Sequence, residues 1–272
     1  MILLNLMGFA VLAQSDDSPV DGFLQKTELK NVKPVPFPEI RQSDVYSVKR
    51  IWRDIDIKDK RNKFFADPQS RFIDIILNAI DNHTITAYDA TYSEADPTGD
   101  KFKVKLSAKS ARVKFIDSIM VDSIDKKTGD KISSHLVAAT FNPDSVTKFR
   151  IKEDWIFDKQ RSVYEPRIVG IAPLYRIKVE GIVFSEQPAF WIYFNQARNI
   201  FVNNEVITPG NTILSYDDIF VLRKFASRIV KESNPEDLRI KDYAKTEQEA
   251  EKEANRIEAK LHSYKSQIYS HK

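Results

Sequence analysis

The sequence contains no cysteine, so we expect no disulfide bond, thiolate zinc site, cysteine nucleophile or lipid attached through an N-terminal cysteine. Glycine is scarce as well. Only seven glycines occur among the 272 residues, and no two lie close enough together to form a phosphate-binding loop. The sequence therefore predicts a fold that is held together by side-chain packing.

An excess of one charge is also missing. The chain has 42 basic and 39 acidic residues and a net charge of +3, which is too balanced for a nucleic-acid binder driven by overall charge. Hydrophobic residues make up 42% and charged residues 30% of the chain, as is typical of soluble globular proteins. We therefore predict a soluble protein without a nucleic-acid partner.

The uncharged apolar run from Met1 to Ala13 is too short to span a bilayer, which takes about 20 residues. It resembles the hydrophobic part of a secretory signal, with small residues before a cleavage site between Ala13 and Gln14. We predict a signal peptide over residues 1–13 and, in a Gram-negative cell, a mature protein in the periplasm. The other interpretation is a buried N-terminal helix.

A proline-bearing segment follows, over residues 14–43. Three alternating prolines in the stretch KPVPFPEI fix φ and remove N–H donors, which predicts an extended chain outside any sheet interior. The segment is either a flexible linker or an extended arm that docks on a neighbouring molecule. In the second case Val35 and Phe37 are its anchors.

Two stretches with helical spacing come next. One helix is predicted from Asp44, with an apolar face that consists of Val45, Val48, Trp52 and Ile55. A second is predicted after Asp67 and Pro68, which stand in the preferred order of cap and first-turn proline. Its inward residues are Phe72, Ile73, Ile76, Leu77 and Ile80.

After these helices the apolar residues recur at every second position, which predicts strands. The first strand is expected over residues 101–106, and a hairpin is expected from residues 113–124 and 132–141. Stretches rich in branched and aromatic residues predict further strands at Val163–Ala172, Arg176–Phe184 and Ala189–Phe194.

Helical patterns return near the C-terminal end. Thr246 and Glu249 have the spacing of a capping box and predict a last helix, with a thin apolar stripe that includes Ile257 and Leu261. We expect this helix to pack on a surface of its own chain or of a partner. An earlier capping box at Ser215 predicts a helix with an inward face of Ile219, Leu222, Phe225 and Ile229.

Motifs of catalysis and metal binding are not found. No two of the four histidines have the close spacing of a zinc site, and no serine stands between glycines in a nucleophile elbow. Glu153, Asp154 and Asp158 surround Trp155 and leave an acid–base pair open as an alternative, although 39 acidic residues produce such groups by chance. We predict no catalytic residue, no metal and no cofactor.

The run from Lys101 to Lys114 holds six basic residues and no acidic one. It could contact phosphate groups or an acidic protein. The simpler interpretation is a solvated strand face on which the lysines discourage pairing with another chain.

The stretch PAFWIYFNQAR, residues 188–198, places four aromatic side chains within five positions, more than one face of a strand can bury. Either the strand is central and covered on both sides, or one face meets another subunit, where aromatic residues and arginine are enriched. Trp191, Tyr193 and Arg198 are the candidate contact residues.

Longer blocks of sequence carry a family resemblance. In chain order they are VKRIWRDIDIKDKRNKFF with the later TITAYD, FNPDSVTKFRIKEDWIFDKQRSVYEPRIVGIAP, PAFWIYFNQARNIF and YDDIFVLRKFASRIVKESN. Together they resemble the gliding motility family GldN, which is called PorN in relatives that do not glide. The resemblance covers nearly all of the mature chain.

This resemblance implies a non-enzymatic, structural component of the type IX protein secretion and gliding machinery of Bacteroidota. The family is expected to form a periplasmic ring beneath the outer membrane with a lipoprotein, GldK or PorK, and to contact the shaft protein GldM or PorM. Membrane attachment would then come only through the lipoprotein. The alternative interpretation is a monomeric periplasmic module that binds a small ligand or a glycan through its aromatic residues.

For the fold we predict an α+β architecture with a largely antiparallel sheet and flanking helices. The body covers residues 44–232. An extended N-terminal arm at residues 14–43 and a C-terminal helical arm at residues 233–272, which carries the surface helix, are expected to reach neighbouring subunits. A ring of this kind needs different contact surfaces at two places on each copy.

Overall fold

A computed structural model describes residues 31–115, 118–124, 131–138, 142–179 and 182–270. The predicted signal peptide, its cleavage site at Ala13 and Gln14, and the arm before residue 31 lie outside these ranges. The strands are β1 Val45–Asp56, β2 Ala87–Asp89, β3 Lys105–Leu106, β4 Ser118–Ile124, β5 Lys131–Ala138, β6 Lys148–Asp158, β7 Val163–Val179, β8 Ile182–Pro188, β9 Phe190–Tyr193, β10 Glu205–Thr208, β11 Thr212–Ser215 and β12 Arg228–Glu232. The helices are α1 Phe72–Asp81, α2 Ala108–Val113, α3 Phe194–Phe201, α4 Tyr216–Val221, α5 Ile240–Tyr243 and α6 Glu247–Ser270, and 3₁₀ turns lie at Gln42–Asp44, Lys60–Ala66 and Pro143–Ser145.

One antiparallel sheet forms the centre of the fold. Its strand order is β12-β1-β6-β7-β9-β2-β3, and β8 also pairs with β7. The hairpins β4–β5 and β10–β11 form two separate two-stranded sheets. Because helices flank this sheet, the predicted α+β class is confirmed.

The helix predicted from Asp44 is wrong, because this stretch forms β1 and pairs with β6 along its whole length. Its apolar residues fit a helical period, but they also fit a strand that is buried on both faces. Ile51 and Ile55 lie on one face of the sheet and Trp52 on the other, and all three are buried. Strand pairing on both sides of β1 therefore overrides the local helical pattern.

Helix α1 confirms the second predicted helix, although it begins later than Pro68. The Asp67 carboxylate accepts a hydrogen bond from the Gln69 N–H, at 3.0 Å, within a turn that precedes the helix. All the residues predicted to face inward are buried, namely Phe72, Ile73, Ile76, Leu77 and Ile80.

The strand predicted over residues 101–106 is shorter than expected, since only Lys105 and Leu106 pair with β2. Phe102 has a φ of +57°, which interrupts an extended chain. The hairpin predicted next is confirmed as β4 and β5, but its predicted start is wrong, because Val113 ends helix α2 and β4 begins at Ser118. Its turn at residues 125–130 and the predicted end at residues 139–141 lie outside the described residues.

The strands predicted at residues 163–172 and 176–184 do not end where expected, because β7 runs without a break through the gap between them. Pro173 lies inside β7, and its carbonyl accepts a hydrogen bond from the Ala189 N–H at 2.9 Å. The strand predicted from Ala189 is confirmed as β9.

The capping box at Ser215 is confirmed at the start of α4. The Ser215 hydroxyl accepts a hydrogen bond from the Asp218 N–H at 3.0 Å, and the Asp218 carboxylate accepts one from the Ser215 N–H at 3.3 Å. The helix ends before Leu222, so the predicted inward face is only partly correct. Ile219 is buried, whereas Leu222 is exposed and Ile229 belongs to β12.

Helix α6 confirms the last predicted helix, and the Glu249 N–H donates to the Thr246 hydroxyl at 3.1 Å near its start. Its apolar stripe packs on the sheet of its own chain, where Ile257 and Leu261 are buried in one cluster with Trp155. Among the residues that the structure describes, no helix combines the length and the apolar character that crossing a membrane requires.

The two faces of the main sheet differ in what covers them. On the face that we call the helix face, one large apolar cluster includes residues of α1, α3 and α4, and a smaller one lies beneath α6. On the opposite face, which we call the loop face, Trp52, Ala172 and Trp191 form a third small cluster. Ala90 and Phe102 pack against this cluster, so the segment at residues 90–104 covers the loop face.

Candidate functional site

The described part of the proline-bearing arm, residues 31–43, lies on the body of its own chain. The Val32 N–H donates to the side-chain oxygen of Asn203 at 2.9 Å, and the Asn203 amide donates back to the Val32 carbonyl at 2.9 Å. This reciprocal pair fixes the beginning of the arm next to the end of α3.

Phe37 is a second attachment point of the arm. Two guanidinium groups lie over its ring, that of Arg167 at 4.3 Å and that of Arg198 at 4.2 Å from the ring centroid, which are distances of favourable cation–π contacts. Arg198 is buried and donates two hydrogen bonds of 2.8 Å to Asp217. Val35, in contrast, is 79% exposed.

The aromatic segment around β9 is covered on both sides by its own chain. Phe190 and Ile192 belong to the large cluster of the helix face. Trp191 is buried on the loop face, with its ring 6.3 Å from that of Phe102. The structure therefore fits the explanation that β9 is a central strand covered on both sides, rather than a strand with one face on another subunit. Tyr193, at the end of β9, remains 42% exposed.

The predicted contact residues thus divide into two groups. Val35 and Tyr193 present exposed side chains. Phe37 is partly buried on the large cluster, and the chain's own fold buries Trp191, Arg198, Ile257 and Leu261. In this fold, the last four offer no surface to a partner, because residues typical of an interface core are also typical of a protein core.

One edge of β1 is open at its beginning, and the sequence analysis did not predict it. Strand β12 pairs only with Ile51–Asp54, so residues 45–49 have no backbone partner on that edge among the described residues. Tyr46 and Val48, which lie in this stretch, are exposed. An unpaired edge with apolar side chains can accept a strand from another chain. The edge could not be found while β1 was predicted to be a helix.

The β10–β11 hairpin presents a second exposed apolar group. Ile207 and Ile213 lie opposite each other in its register, and both are exposed. Val206, on the other face of the hairpin, is buried in the large cluster. The hairpin therefore packs on the body through one face and offers a cross-strand isoleucine pair through the other.

Glu153 lies at the centre of a buried ionic cluster on the helix face and is 0% exposed. Its carboxylate accepts hydrogen bonds from Arg53 Nε at 2.5 Å, Arg223 Nη1 at 2.7 Å and Trp155 Nε1 at 2.8 Å. Burial alone raises the pKa of Glu153, but the two guanidinium groups outweigh it and hold this pKa below its ordinary value of 4.5. The carboxylate therefore stays ionised and serves as a structural anion.

The loop face carries a ladder of three cross-strand pairs between β1 and β6. The middle pair is Trp52 opposite Lys152, and an ion pair lies on each side of it. The Nε–Oδ1 distances in these ion pairs are 2.7 Å for Arg50 and Asp154 and 2.6 Å for Arg150 and Asp54. Opposite charges placed directly across two strands support the pairing of β1 with β6.

Asp100 joins the ladder to the segment that covers it. The Trp52 indole donates to Asp100 Oδ2 at 2.8 Å, and the Lys152 ammonium donates to the Asp100 carbonyl at 2.7 Å. Burial lowers the pKa of Lys152, although the Asp100 charge acts in the opposite direction. These contacts fix the segment at residues 90–104 on the loop face.

The carboxylates that left an acid–base pair open are separated in the structure. Glu153 and Asp154 lie on opposite faces of β6, and each has its own arginine partners. Asp158 accepts a hydrogen bond from Arg161 Nε at 2.6 Å. Within the described ranges, no three His, Cys, Asp or Glu side chains are grouped so that they could hold a metal ion.

A comparison with protein-family models gives a match to the gliding motility associated protein GldN over residues 40–270. The match includes every strand of the main sheet and all of α6. The chain belongs to the GldN family. The resemblance seen in the four blocks of sequence is thereby confirmed, and GldN is a component of gliding motility rather than a known family of enzymes. A comparison with curated proteins found no match.

Proposed function

We propose that this GldN-family protein is a non-enzymatic structural subunit of the type IX protein secretion and gliding machinery. It works in the periplasm, at the inner face of the outer membrane, as part of a ring formed with the lipoprotein GldK or PorK. The shaft protein GldM or PorM is its second partner. The observation that carries this proposal is the GldN match over residues 40–270.

The exposed apolar groups of the body are compatible with such an assembly. Closing a ring requires two different contact surfaces on each copy. Tyr46 and Val48 lie on the open edge of β1, while Ile207 and Ile213 lie in a separate hairpin, and all four are exposed. The chain therefore has apolar side chains at two separate places where neighbours can bind.

The charged residues of the sheet also favour an architectural role. The helix-face carboxylate of Glu153 is enclosed by arginines, and the loop-face charges pair across β1 and β6. Both arrangements hold strands and their covering elements together. In the proposed assembly, membrane attachment comes only from the acyl chains of the lipoprotein partner, which supply the apolar anchor.

Coexpression tests this proposal most cheaply. The chain is produced together with a lipoprotein of the GldK or PorK type, and the molar mass of the purified material is measured by size-exclusion chromatography with light scattering. We expect a complex that contains several copies of both proteins. A chain that elutes as a monomer in the presence of the lipoprotein would contradict the proposal and favour the monomeric binding module.

The aromatic residues on which that binding module rests are largely covered. Phe190 and Trp191 are buried by the chain itself, and Tyr193 is the exposed aromatic residue of the β9 segment. A glycan-binding surface built on this segment would therefore have a single exposed ring.

A surface variant sharpens the assembly test. Ile213→Lys places a charge on the exposed hairpin pair, and we expect it to reduce the mass of the complex without unfolding the chain, because the side chain is already exposed. Val113→Lys, at an exposed position on α2, is the matched control. Circular dichroism verifies that both variants are folded. If the complexes formed by the two variants had equal masses, the hairpin would not be part of the contact surface.

A further inference from the structure

A cleft of about 480 Å³ lies between α6 and the chain that leads into β12. Four arginines line it together with two glutamates, namely Arg53, Arg61, Arg223, Arg228, Glu251 and Glu258. A volume of this size lies within the range of small-molecule sites, about 300–1,000 Å³. The four arginines supply guanidinium donors for an anion, which has to compete with the carboxylates that pair with them, namely Asp59, Glu153, Glu247 and Glu258.

Arg53 is the most deeply placed of these arginines and is 2% exposed. Its Nε donates to Glu153 at 2.5 Å, and its Nη1 donates to Glu258 at 2.6 Å. The remaining nitrogen, Nη2, is buried and has no hydrogen-bond partner among the described residues. A buried guanidinium donor without a partner is unfavourable and indicates that a further group completes the arrangement.

Two other arginines of the lining are held only by surface ion pairs. The Arg61 side chain is 75% exposed and pairs with Asp59. Arg228 pairs with Glu247, whose side chain is 81% exposed. Exposed pairs of this kind are weak, so both arginines can turn to a ligand at little cost. Arg223 differs, because it is committed to the buried Glu153.

We propose that this cleft is a binding site for a small oxyanion, a ligand that carries carboxylate or phosphate groups. The planar guanidinium matches the geometry of both groups. Glu258 already places one carboxylate on Arg53 Nη1, next to the unpaired Nη2. Because Arg53 Nη2 is buried, binding requires a local movement: the partly exposed Glu258 carboxylate leaves Arg53, the ligand takes its place, and Arg228 and Arg61 donate from the rim. The site does not depend on the assembly proposed above.

Isothermal titration calorimetry of the full chain with citrate, and separately with inorganic phosphate, tests the site at low ionic strength. We expect saturable binding of at least one of them. Binding of citrate alone assigns the site to carboxylates, and binding of phosphate alone assigns it to phosphate groups. The absence of saturable binding with both anions would overturn the proposal.

Substitutions of arginines in and outside the cleft lining test where the anion binds. Arg228→Gln removes a partly exposed donor of the lining, and we expect it to weaken binding about tenfold, the usual effect of losing one hydrogen bond to a charged group. Arg256→Gln, an exposed arginine on α6 outside the cleft lining, is the matched control and should leave binding unchanged. Equal affinities for these two variants would place the anion elsewhere and overturn the assignment. Arg53→Lys, which keeps the charge but lacks Nη2, should weaken binding in chains that circular dichroism shows to be folded.

Discussion

The helix face and the loop face of the main sheet are formed by the same strands, but their charged side chains are paired and covered in different ways. On the helix face, Glu153 and Arg53 lie between two apolar clusters and are fully covered. On the loop face, the ion pair of Arg50 and Asp154 remains partly accessible, whereas Lys152, the next residue along this face of β6, is buried beneath the covering segment. Alternate residues of β1 and β6 therefore experience different surroundings.

This difference determines how much each charge matters. A buried charge has lost its hydration and depends on its partners, so removing one partner leaves the others uncompensated. A partly exposed charge is hydrated again when its partner is lost. We therefore expect the stability of the fold to depend on the helix-face cluster far more than on the ion pair of Arg50 and Asp154.

The largest expected contrast is between Glu153→Gln and Asp154→Asn, at adjacent positions on opposite faces. The first change leaves Arg53 and Arg223 without their buried anion and should lower the free energy of unfolding by about 3–5 kcal/mol. The second removes an ion pair with a partly exposed arginine and should cost less than about 1 kcal/mol. Urea unfolding measures both values. Equal losses would show that the two faces do not differ.

The α6 stripe provides the next test, because it covers part of the helix face. Ile257→Ala removes buried apolar volume and should lower the free energy of unfolding by about 2–5 kcal/mol. Lys260→Ala, at an exposed position of the same helix, is the control and should stay within about 0.5 kcal/mol of the parent chain. Thermal and urea unfolding give the comparison. If Ile257→Ala behaved like its control, α6 would be an arm that leaves the body.

A smaller effect is expected on the loop face from Gly170→Ala. The added Cβ would lie 2.5 Å from the Phe102 ring and 3.1 Å from the Ile192 carbonyl, so the covering segment must shift. Overpacking of this kind costs about 1–3 kcal/mol. The double variant with Phe102→Ala should cost less than the sum of the two single changes, as measured by urea unfolding. If the two losses in the free energy of unfolding were strictly additive, Phe102 would not cover Gly170.

Acidification should produce the smallest and most gradual effect. The pKa of Glu153 is lower in the folded chain than its ordinary value of 4.5, although burial alone would raise it, because Arg223 and Arg53 stabilise the anion. The stabilisation it provides is complete above pH 4.5 and is lost as the pH falls through the lower folded pKa. We therefore expect the free energy of unfolding, measured with urea, to fall less between about pH 7 and about pH 3 for Glu153→Gln than for the parent chain. Identical losses would contradict this account.

Local signals predicted those parts of the fold that depend on near neighbours. The inward face of α1, the capping box at Ser215 and the stripe of α6 follow from spacing within one turn or two of helix. The same reasoning failed for β1, because its apolar positions fit a helix as well as a strand buried on both faces. Only the pairing with β6, about 100 positions away, decides between the two.

The candidate site was harder to predict for a related reason. Aromatic and aliphatic residues such as Trp191 and Ile257 are enriched in interfaces and in cores alike, and the sequence does not say which of the two will cover them. The cluster around Glu153 joins Arg53, Arg223 and Glu258 from separate elements. No spacing in the sequence brings these residues together, so the cleft beside them could be recognised only in the folded chain.

Electron microscopy of the purified complex with the lipoprotein tests the central claim most directly. If the chain is a structural subunit, the images should show closed rings that contain repeated copies of both proteins. Isolated particles that contain a single copy of the chain, from a preparation in which both proteins are intact and folded, would contradict it.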